Sequence, residues 1–304
     1  MAHSVVYKTN GTLCHKLIGT YKSKKETVME KIGFVGTGAM GSALLSRLKL
    51  ANVQAVSFDI APKAQEAARA EGAQTLNSAK EVAQACTIID VVVRTDQEVI
   101  DCMLGENGVV EGAAPGSLVL LHSTIRPTTT KKVALAAADK RVNVIDACMT
   151  AVPSMVRQGG LTFLVGGQKA FFDRAKPHLM NMAKDAVHMG PLGCGNVTKL
   201  FKNMVTASEA LVVYEALQIA KAGGIGYKTA LDLMQKTKSA NILERWETRY
   251  QLSGNEMTFN PGTNLYDKDL PLAAEVGKAL GAEIPVVEAL AALGIKLNGG
   301  KVSI

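Results

Sequence analysis

Gly36-Thr37-Gly38-Ala39-Met40-Gly41 stands between an apolar run, Ile32–Val35, and a helical one, Ser42–Leu50, and that order gives the six residues a chemical meaning. In a strand–turn–helix setting the first glycine permits a tight turn. The second lets a ligand approach bare backbone, and the third lets helix and strand pack closely. The backbone around Gly38, Ala39, Met40 and Gly41 then opens a helix whose N-terminus suits an anion, and the pyrophosphate of a dinucleotide is the ligand such a loop fits. Asp59 ends the next apolar run, Ala55–Phe58, eighteen positions after Gly41. A carboxylate there hydrogen-bonds the adenosine ribose hydroxyls and repels a 2′-phosphate. No arginine follows in Ile60-Ala61-Pro62-Lys63, so NAD is favoured over NADP, with Lys63 as the nearest cation.

A second group lies far along the chain, in Gly193-Cys194-Gly195-Asn196-Val197-Thr198-Lys199-Leu200-Phe201-Lys202-Asn203. Lys199 and Asn203 are four apart, hence on one helical face and able to reach one small ligand. Oxidising an alcohol removes a hydroxyl proton as hydride leaves, and a lysine amine can take or return that proton. For this work its pKa must lie nearer neutrality than the ordinary value of about 10.4, through burial or a neighbouring cation. Three further segments stand in order with these: His122-Ser123-Thr124-Ile125-Arg126-Pro127, Asp146-Ala147-Cys148-Met149-Thr150-Ala151-Val152 running on to Gly159-Gly160-Leu161-Thr162, and Lys268-Asp269-Leu270.

As a set, these segments resemble the β-hydroxyacid dehydrogenase (3-hydroxyisobutyrate dehydrogenase-like) family from Met29 to about residue 290. The resemblance implies hydride transfer between NAD(H) and a small anionic β-hydroxy acid or its semialdehyde, with Lys199 as general acid/base and Asn203 beside the substrate. It also implies that Thr124 approaches the nicotinamide ribose and that Lys268 reaches the cofactor or closes the cleft. Thr150, Ala151 and Val152 occupy the loop in which the family binds a carboxylate through Ser and two glycines. Here a hydroxyl is kept, but two side chains fill space where a ligand meets bare backbone. Arg157 is either a replacement anion contact or a surface arginine. Position 202 is Lys where the family has Asn. Two alternatives stay open: imine reduction on the same fold, which related proteins perform with Asp or Tyr at the lysine position, and NAD sensing without turnover.

The elements that must position these residues follow from periodicity. Short β-branched runs at Ile32–Val35, Ala55–Phe58, Ile88–Val93, Leu118–Leu121 and Val142–Ile145 alternate with helical stretches. Such alternation predicts an α/β domain over residues 29–190, a Rossmann-like doubly wound parallel sheet. After Gly190 the strand signal disappears. A long helix over 196–222, a break at Gly223-Gly224, and helices over 227–237 and 269–281 predict an all-helical C-terminal domain over 191–304, serving substrate binding and dimerisation. Residues 1–28 show neither period and read as a disordered N-terminal extension ahead of Met29, the expected native start.

Composition narrows the classes. In 304 residues, 47 % apolar and 20 % charged, no apolar run approaches the roughly 18 residues that span a bilayer, so no membrane partner is expected. Five lysines against Glu26 in residues 1–28 supply four of the net charge of +7, leaving +3 for a body with no basic stripe for nucleic acid. Five cysteines and five histidines show no metal-ligand spacing, so no metal is expected, and the absence of a disulfide framework points to the cytoplasm. The apolar-rich helical domain suggests a homodimer or homotetramer.

Overall fold

The computed structural model describes residues 7–9, 12–14, 30–239, 242, 244, 247, 249–254, 256–260 and 265–297. Among the described residues of Met1–Glu30, the first of two units, Tyr7–Thr9 (β1) pairs antiparallel with Thr12–Cys14 (β2). The expected disorder of residues 1–28 therefore does not extend to these strands. Three residues are too few to show a period, but Asn10-Gly11 between them is the dipeptide that favours a tight hairpin. Met29 and the other residues of this segment lie outside the described set.

The second unit is Lys31–Ile304. It opens with Ile32–Val35 (β3), Ala39–Leu50 (α1), Ala55–Phe58 (β4), Pro62–Ala70 (α2), Gln74–Thr75 (β5), Ala79–Ala85 (α3), Ile88–Val91 (β6) and Asp96–Leu104 (α4). Val109–Gly112 (α5), Leu118–Leu121 (β7), Pro127–Ala138 (α6), Asn143–Met149 (β8), Pro153–Arg157 (α7), Thr162–Gly166 (β9), Lys169–Met182 (α8) and Asp185–Gly190 (β10) follow. The remainder comprises Cys194–Ala222 (α9), Tyr227–Lys236 (α10), Tyr250–Ser253 (β11), Glu256–Phe259 (β12), a π-helical turn at Leu265–Asp269, Leu270–Ala279 (α11) and Pro285–Leu297 (α12).

Eight strands form one sheet in the order β10-β9-β8-β7-β6-β3-β4-β5. Neighbours from β5 to β8 are parallel, β9 runs antiparallel to β8, and β10 runs parallel to β9. Strands β3, β6 and β7 are buried along their whole length because helices cover both faces, which is why β3 and β7 read as apolar runs and β6 as one broken only by Asp90. Side chains alternate between the faces. Ile88 and Leu120 join Leu44, Leu48 and Leu179 under α1 and α8, whereas Ile89 and Val119 join Val82, Val99 and Val133 under α3, α4 and α6. The result is the expected Rossmann-like α/β architecture, extended by β9 and β10, which sequence reasoning did not foresee. β10 is alternately exposed and buried at its start, and so carries no continuous apolar run.

The C-terminal region is helical, with α9 and α10 close to their expected spans, but the β11–β12 hairpin interrupts it. Its Phe259 ring lies 5.3 Å from Tyr214 and 5.5 Å from Tyr266, so the hairpin completes the core between α9 and the π turn. Among the described residues no helix is long and apolar enough to cross a membrane.

One buried carboxylate mounts α9 on the sheet. Gly193 N–H donates to Asp146 Oδ1 at 2.7 Å and Asn196 N–H to Oδ2 at 2.8 Å. Stranding a buried N–H costs about 1–3 kcal/mol, so Asp146→Ala is expected to lower the unfolding free energy by about 2–6 kcal/mol. Asp146→Asn, which keeps one acceptor oxygen, should fall between the two. Urea unfolding midpoints check the order.

Candidate active site

The glycine loop joins β3 to α1 at the carboxyl end of the sheet, where such folds take their ligands. Gly36 has φ +92°, and a Cβ there would lie 2.4 Å from Val92 O. A Cβ on Gly41 would lie 2.3 Å from Gly36 O, so this position holds the helix against its own loop. Gly38 differs, because a Cβ there meets nothing within 4 Å. Gly38 is also the N-cap of α1; no side chain caps the helix there, and no acidic residue stands in its first turn. Open space, uncapped N–H groups and the positive end of a helix dipole together form a cradle that fits a pyrophosphate. Asp59 lies beside it. Its Oδ2 accepts from Thr37 N–H at 2.6 Å and its Oδ1 from Ala61 N–H at 2.8 Å, which ties the loop to the end of β4 while leaving lone pairs for further donors.

Lys199 lies in the second turn of α9. Asn196, one turn earlier, donates from Nδ2 to Ser123 O at 3.1 Å and to Cys148 Sγ at 3.3 Å, and accepts at Oδ1 from Thr130. The helix start is thus bound to the ends of β7 and β8. Burial lowers the Lys199 pKa below the ordinary lysine value; Asp269 and then the Cys148 thiol oppose the shift, and the Lys268 charge adds to it. Among the described residues Lys199 has no hydrogen-bond partner. Burial also pushes the Cys148 thiol up, so it sits beside the lysine as a neutral group.

Asn203, on the same face as Lys199, donates from Nδ2 to Asp269 Oδ2 at 2.8 Å. Among the described residues Asp269 Oδ1 is buried without a hydrogen bond, although Lys268 Nζ stands 3.3 Å away at ion-pair distance; the geometry between them is electrostatic contact only. Lys268 instead directs its protons to Thr124 O at 2.6 Å and Arg94 O at 3.1 Å. The π turn therefore reaches across to the loops after β6 and β7. Next to it, Arg126 grips Glu275 of α11 with two hydrogen bonds, at 2.7 and 2.6 Å, and Asp96 of α4 at 2.9 Å.

The structure thus brings Lys199, Asn203, Lys268 and Thr124 into one network and places Gly36, Gly38, Ala39, Met40, Gly41 and Asp59 in another. The loop after β8 is less as its sequence suggests. Thr150 Oγ1 donates to Thr162 O at 3.0 Å and Thr150 N–H donates to the same carbonyl, so this hydroxyl is turned into the β8–β9 junction. Ala151 packs on the core and Val152 is 56 % exposed. Arg157 pairs with Glu71 at 2.6 Å and with Ser42 Oγ, so it behaves as an arginine of the α1–α2 surface rather than an anion contact of this loop. Sequence reasoning assigned no role to Asp146, Asn196 or Asp269, although each stood inside a quoted segment. The available signal was a carboxylate or amide next to a residue already suspected.

Comparison with known proteins matches residues 31–190 to the NAD binding domain of 6-phosphogluconate dehydrogenase and residues 193–300 to the NAD-binding domain of NADP-dependent 3-hydroxyisobutyrate dehydrogenase. The chain belongs to the β-hydroxyacid dehydrogenase family. Within it, the chain is 32 % identical to 2-hydroxy-3-oxopropionate reductase of Escherichia coli, over 84 % of this chain and 87 % of that one. It is 31 % identical to 3-hydroxyisobutyrate dehydrogenase of Pseudomonas aeruginosa, over 85 % and 89 %. A solved structure of Mycobacterium tuberculosis 3-hydroxyisobutyrate dehydrogenase with L-serine superposes with a TM-score of 0.78 at 26 % identity, over 91 % of this chain and 96 % of that one. As a β-hydroxyacid dehydrogenase family member, this chain is a nicotinamide-dependent oxidoreductase acting on a hydroxyl-bearing carbon or its carbonyl counterpart.

The glycine geometry separates two effects. Gly41→Ala drives a methyl into Gly36 O and should lower thermal stability and dinucleotide binding together. Gly38→Ala meets no protein atom, so it should melt like the parent while losing about tenfold or more in dinucleotide affinity, the usual scale for one displaced charge-assisted contact. Thermal melts and NADH fluorescence titrations of the two variants check this.

Proposed function

We propose that this chain interconverts a small β-hydroxy acid and its semialdehyde with NAD(H), and that Lys199 is the general acid/base. One observation carries the reading: a half-buried lysine with a depressed pKa and no hydrogen-bond partner among the described residues, aligned on its helix with an asparagine that Asp269 holds in place. When bound, the nicotinamide supplies the two-electron chemistry. In oxidation, the neutral Lys199 amine accepts the hydroxyl proton; in reduction, its ammonium returns a proton to the carbonyl oxygen. Asn203 turns its NH2 toward Asp269, which leaves its amide oxygen for a substrate hydroxyl.

Gly38, Ala39, Met40 and Gly41 hold the pyrophosphate, Asp59 the adenosine ribose, and Thr124 and Lys268 the nicotinamide end. Because Thr150 is engaged by Thr162, the substrate carboxylate falls to the backbone N–H groups of Ala151 and Val152 in the Thr150–Val152 loop. Domains 29–190 and 191–304 supply the cofactor and proton-transfer halves, and the enzyme works in the cytoplasm. A second copy covers α9, on which Phe201, Val205, Val212 and Ile219 are 48–74 % exposed.

Two tests follow. Lys199→Ala should lower kcat by about a hundredfold or more, the scale of a lost acid/base group, while NADH affinity stays within about twofold. The pH profiles should oppose one another. Because the folded pKa is lowered, the oxidation rate rises and the reduction rate falls as pH rises through a single value below that of ordinary lysine. Screening short β-hydroxy acids and aldehydes against cyclic imines supplies the substrate, and near-normal turnover by Lys199→Ala would shift the reading to imine reduction or sensing. Secondly, NADH should bind more tightly than NADPH, and Asp59→Ala with Ile60→Arg should reverse the order; a parent that prefers NADPH removes the assignment of Asp59.

A further inference from the structure

The middle of the sheet contains a charged group that the chemistry above does not use. Asp90 lies in β6 and is wholly buried. Its Oδ1 is 2.7 Å from His122 Nε2 and its Oδ2 is 2.7 Å from His178 Nε2, on α8. Both histidines are buried, at 2 % and 5 % exposure, and the His122 ring packs 5.2 Å from that of Phe163. The other ring nitrogen of His122, Nδ1, is 2.7 Å from Ala147 O.

The place of that last bond is informative. Strands β7 and β8 pair as far as Leu121 and Asp146, and there β7 leaves the sheet toward Ser123 and Thr124. Ala147 is the next residue of β8, and its carbonyl receives a side-chain N–H where the neighbouring strand has departed. His122 thus continues the ladder by one bond at the point where the sheet opens into the site. On either side of Ala147 stand Asp146, which holds the N-terminus of α9, and Cys148, which faces Lys199. Ser123, next to His122, accepts from Asn196 of α9.

The partners also assign the protons. A carbonyl oxygen only accepts, so His122 Nδ1 bears hydrogen. Burial raises the Asp90 pKa, but the His178 charge and hydrogen bonds from His122 and His178 outweigh it and hold the carboxyl down at about 2. An ionised carboxylate only accepts as well, so both ring nitrogens of His122 face acceptors. His178 Nε2 meets the other carboxylate oxygen, and its Nδ1 is buried without a partner among the described residues.

We propose that His122 is a positioning residue for the reaction: held as an imidazolium by Asp90, it fixes Ala147 and Ser123 by a charge-assisted bond and so sets the seat of α9 beneath Lys199. The inference rests on the reading of Lys199 given above. Asp90→Asn provides a test that keeps the hydrogen bonds. The new amide donates to His122 Nε2 and accepts from His178 Nε2, so every partner is satisfied with both rings neutral, and only the charge is lost. We expect kcat to fall about tenfold, as small misplacements of reacting groups do, with KM, NADH affinity and melting temperature close to those of the parent. His178→Gln, which retains a donor for Asp90, should leave kcat near the parent value. Nitrogen-15 histidine spectra of the parent at neutral pH should show the His122 ring protonated at both nitrogens, and that signal should vanish in Asp90→Asn. Parent-like kcat in Asp90→Asn while Lys199→Ala is inactive would overturn the proposal. A neutral His122 in the parent spectrum would overturn it too, whether or not the variant folds. An active Lys199→Ala enzyme would instead sink the reading of Lys199.

Discussion

The carboxylate of Asp146 is the constraint on which the site depends. Strand β8 and the longest described helix meet at one buried carboxylate, which replaces the intrahelical partners that the first N–H groups of α9 lack. Burial raises the pKa of this acid above the ordinary value, and the N–H groups of Gly193, Asn196 and Gly195 offset that rise in part. The helix dipole favours the ionised form at the same place. Such an arrangement is costly to desolvate and costly to break. In exchange it fixes the first turn of α9, and Lys199 follows one turn later with little freedom to drift.

That rigidity explains why Lys199 can remain without a hydrogen-bond partner among the described residues. A lysine on a mobile helix would turn to the nearest carboxylate, and Asp269 is within electrostatic reach. Asp269 is already held by Asn203 on one oxygen and faced by Lys268 at the other. Lys268 in turn is anchored by two carbonyls from the loops after β6 and β7. The chain of contacts sets each charge opposite a group that cannot leave. The Arg126 bridge to Glu275 and Asp96 lies on the rim, where exposed ion pairs contribute about 0–1 kcal/mol. Its effect is orientation rather than stability, because a bidentate fork restricts the angle between α11 and α4.

The glycine loop, Asp59, Lys199 and the parallel strands were legible in the sequence because each is local: a motif within six residues, or a period within ten. The attachment of α9 to Asp146 was not, since the hydrogen-bonded residues lie 47 and 50 positions apart. Thr150 shows the complementary failure. Residue type suggested a hydroxyl offered to a ligand, but the backbone of Thr162 lies closer and satisfies it. The β11–β12 hairpin was legible in principle, since Tyr250-Gln251-Leu252-Ser253 alternates, yet four residues amid helical sequence give a weak period.

Asp90 marks the boundary between the two cases. A carboxylate inside Ile88-Ile89-Asp90-Val91 was visible from the start, and the cost of burying it unpaired requires a partner. Sequence alone states that requirement and stops there, because the partners lie 32 and 88 positions away, one just beyond the end of β7 and the other on α8. An apolar residue at position 90 would pack between the same helices without any of these bonds, and replacing buried ion pairs by well-packed apolar groups is often neutral or stabilising. The trio therefore contributes little net stability by that comparison. What an apolar core lacks is direction: a methyl group cannot fix the carbonyl of Ala147, whereas an imidazolium with both protons engaged has one orientation. A strand end that must hold a proton-transfer helix in register gains from that orientation, and the buried charge is the means by which it is imposed.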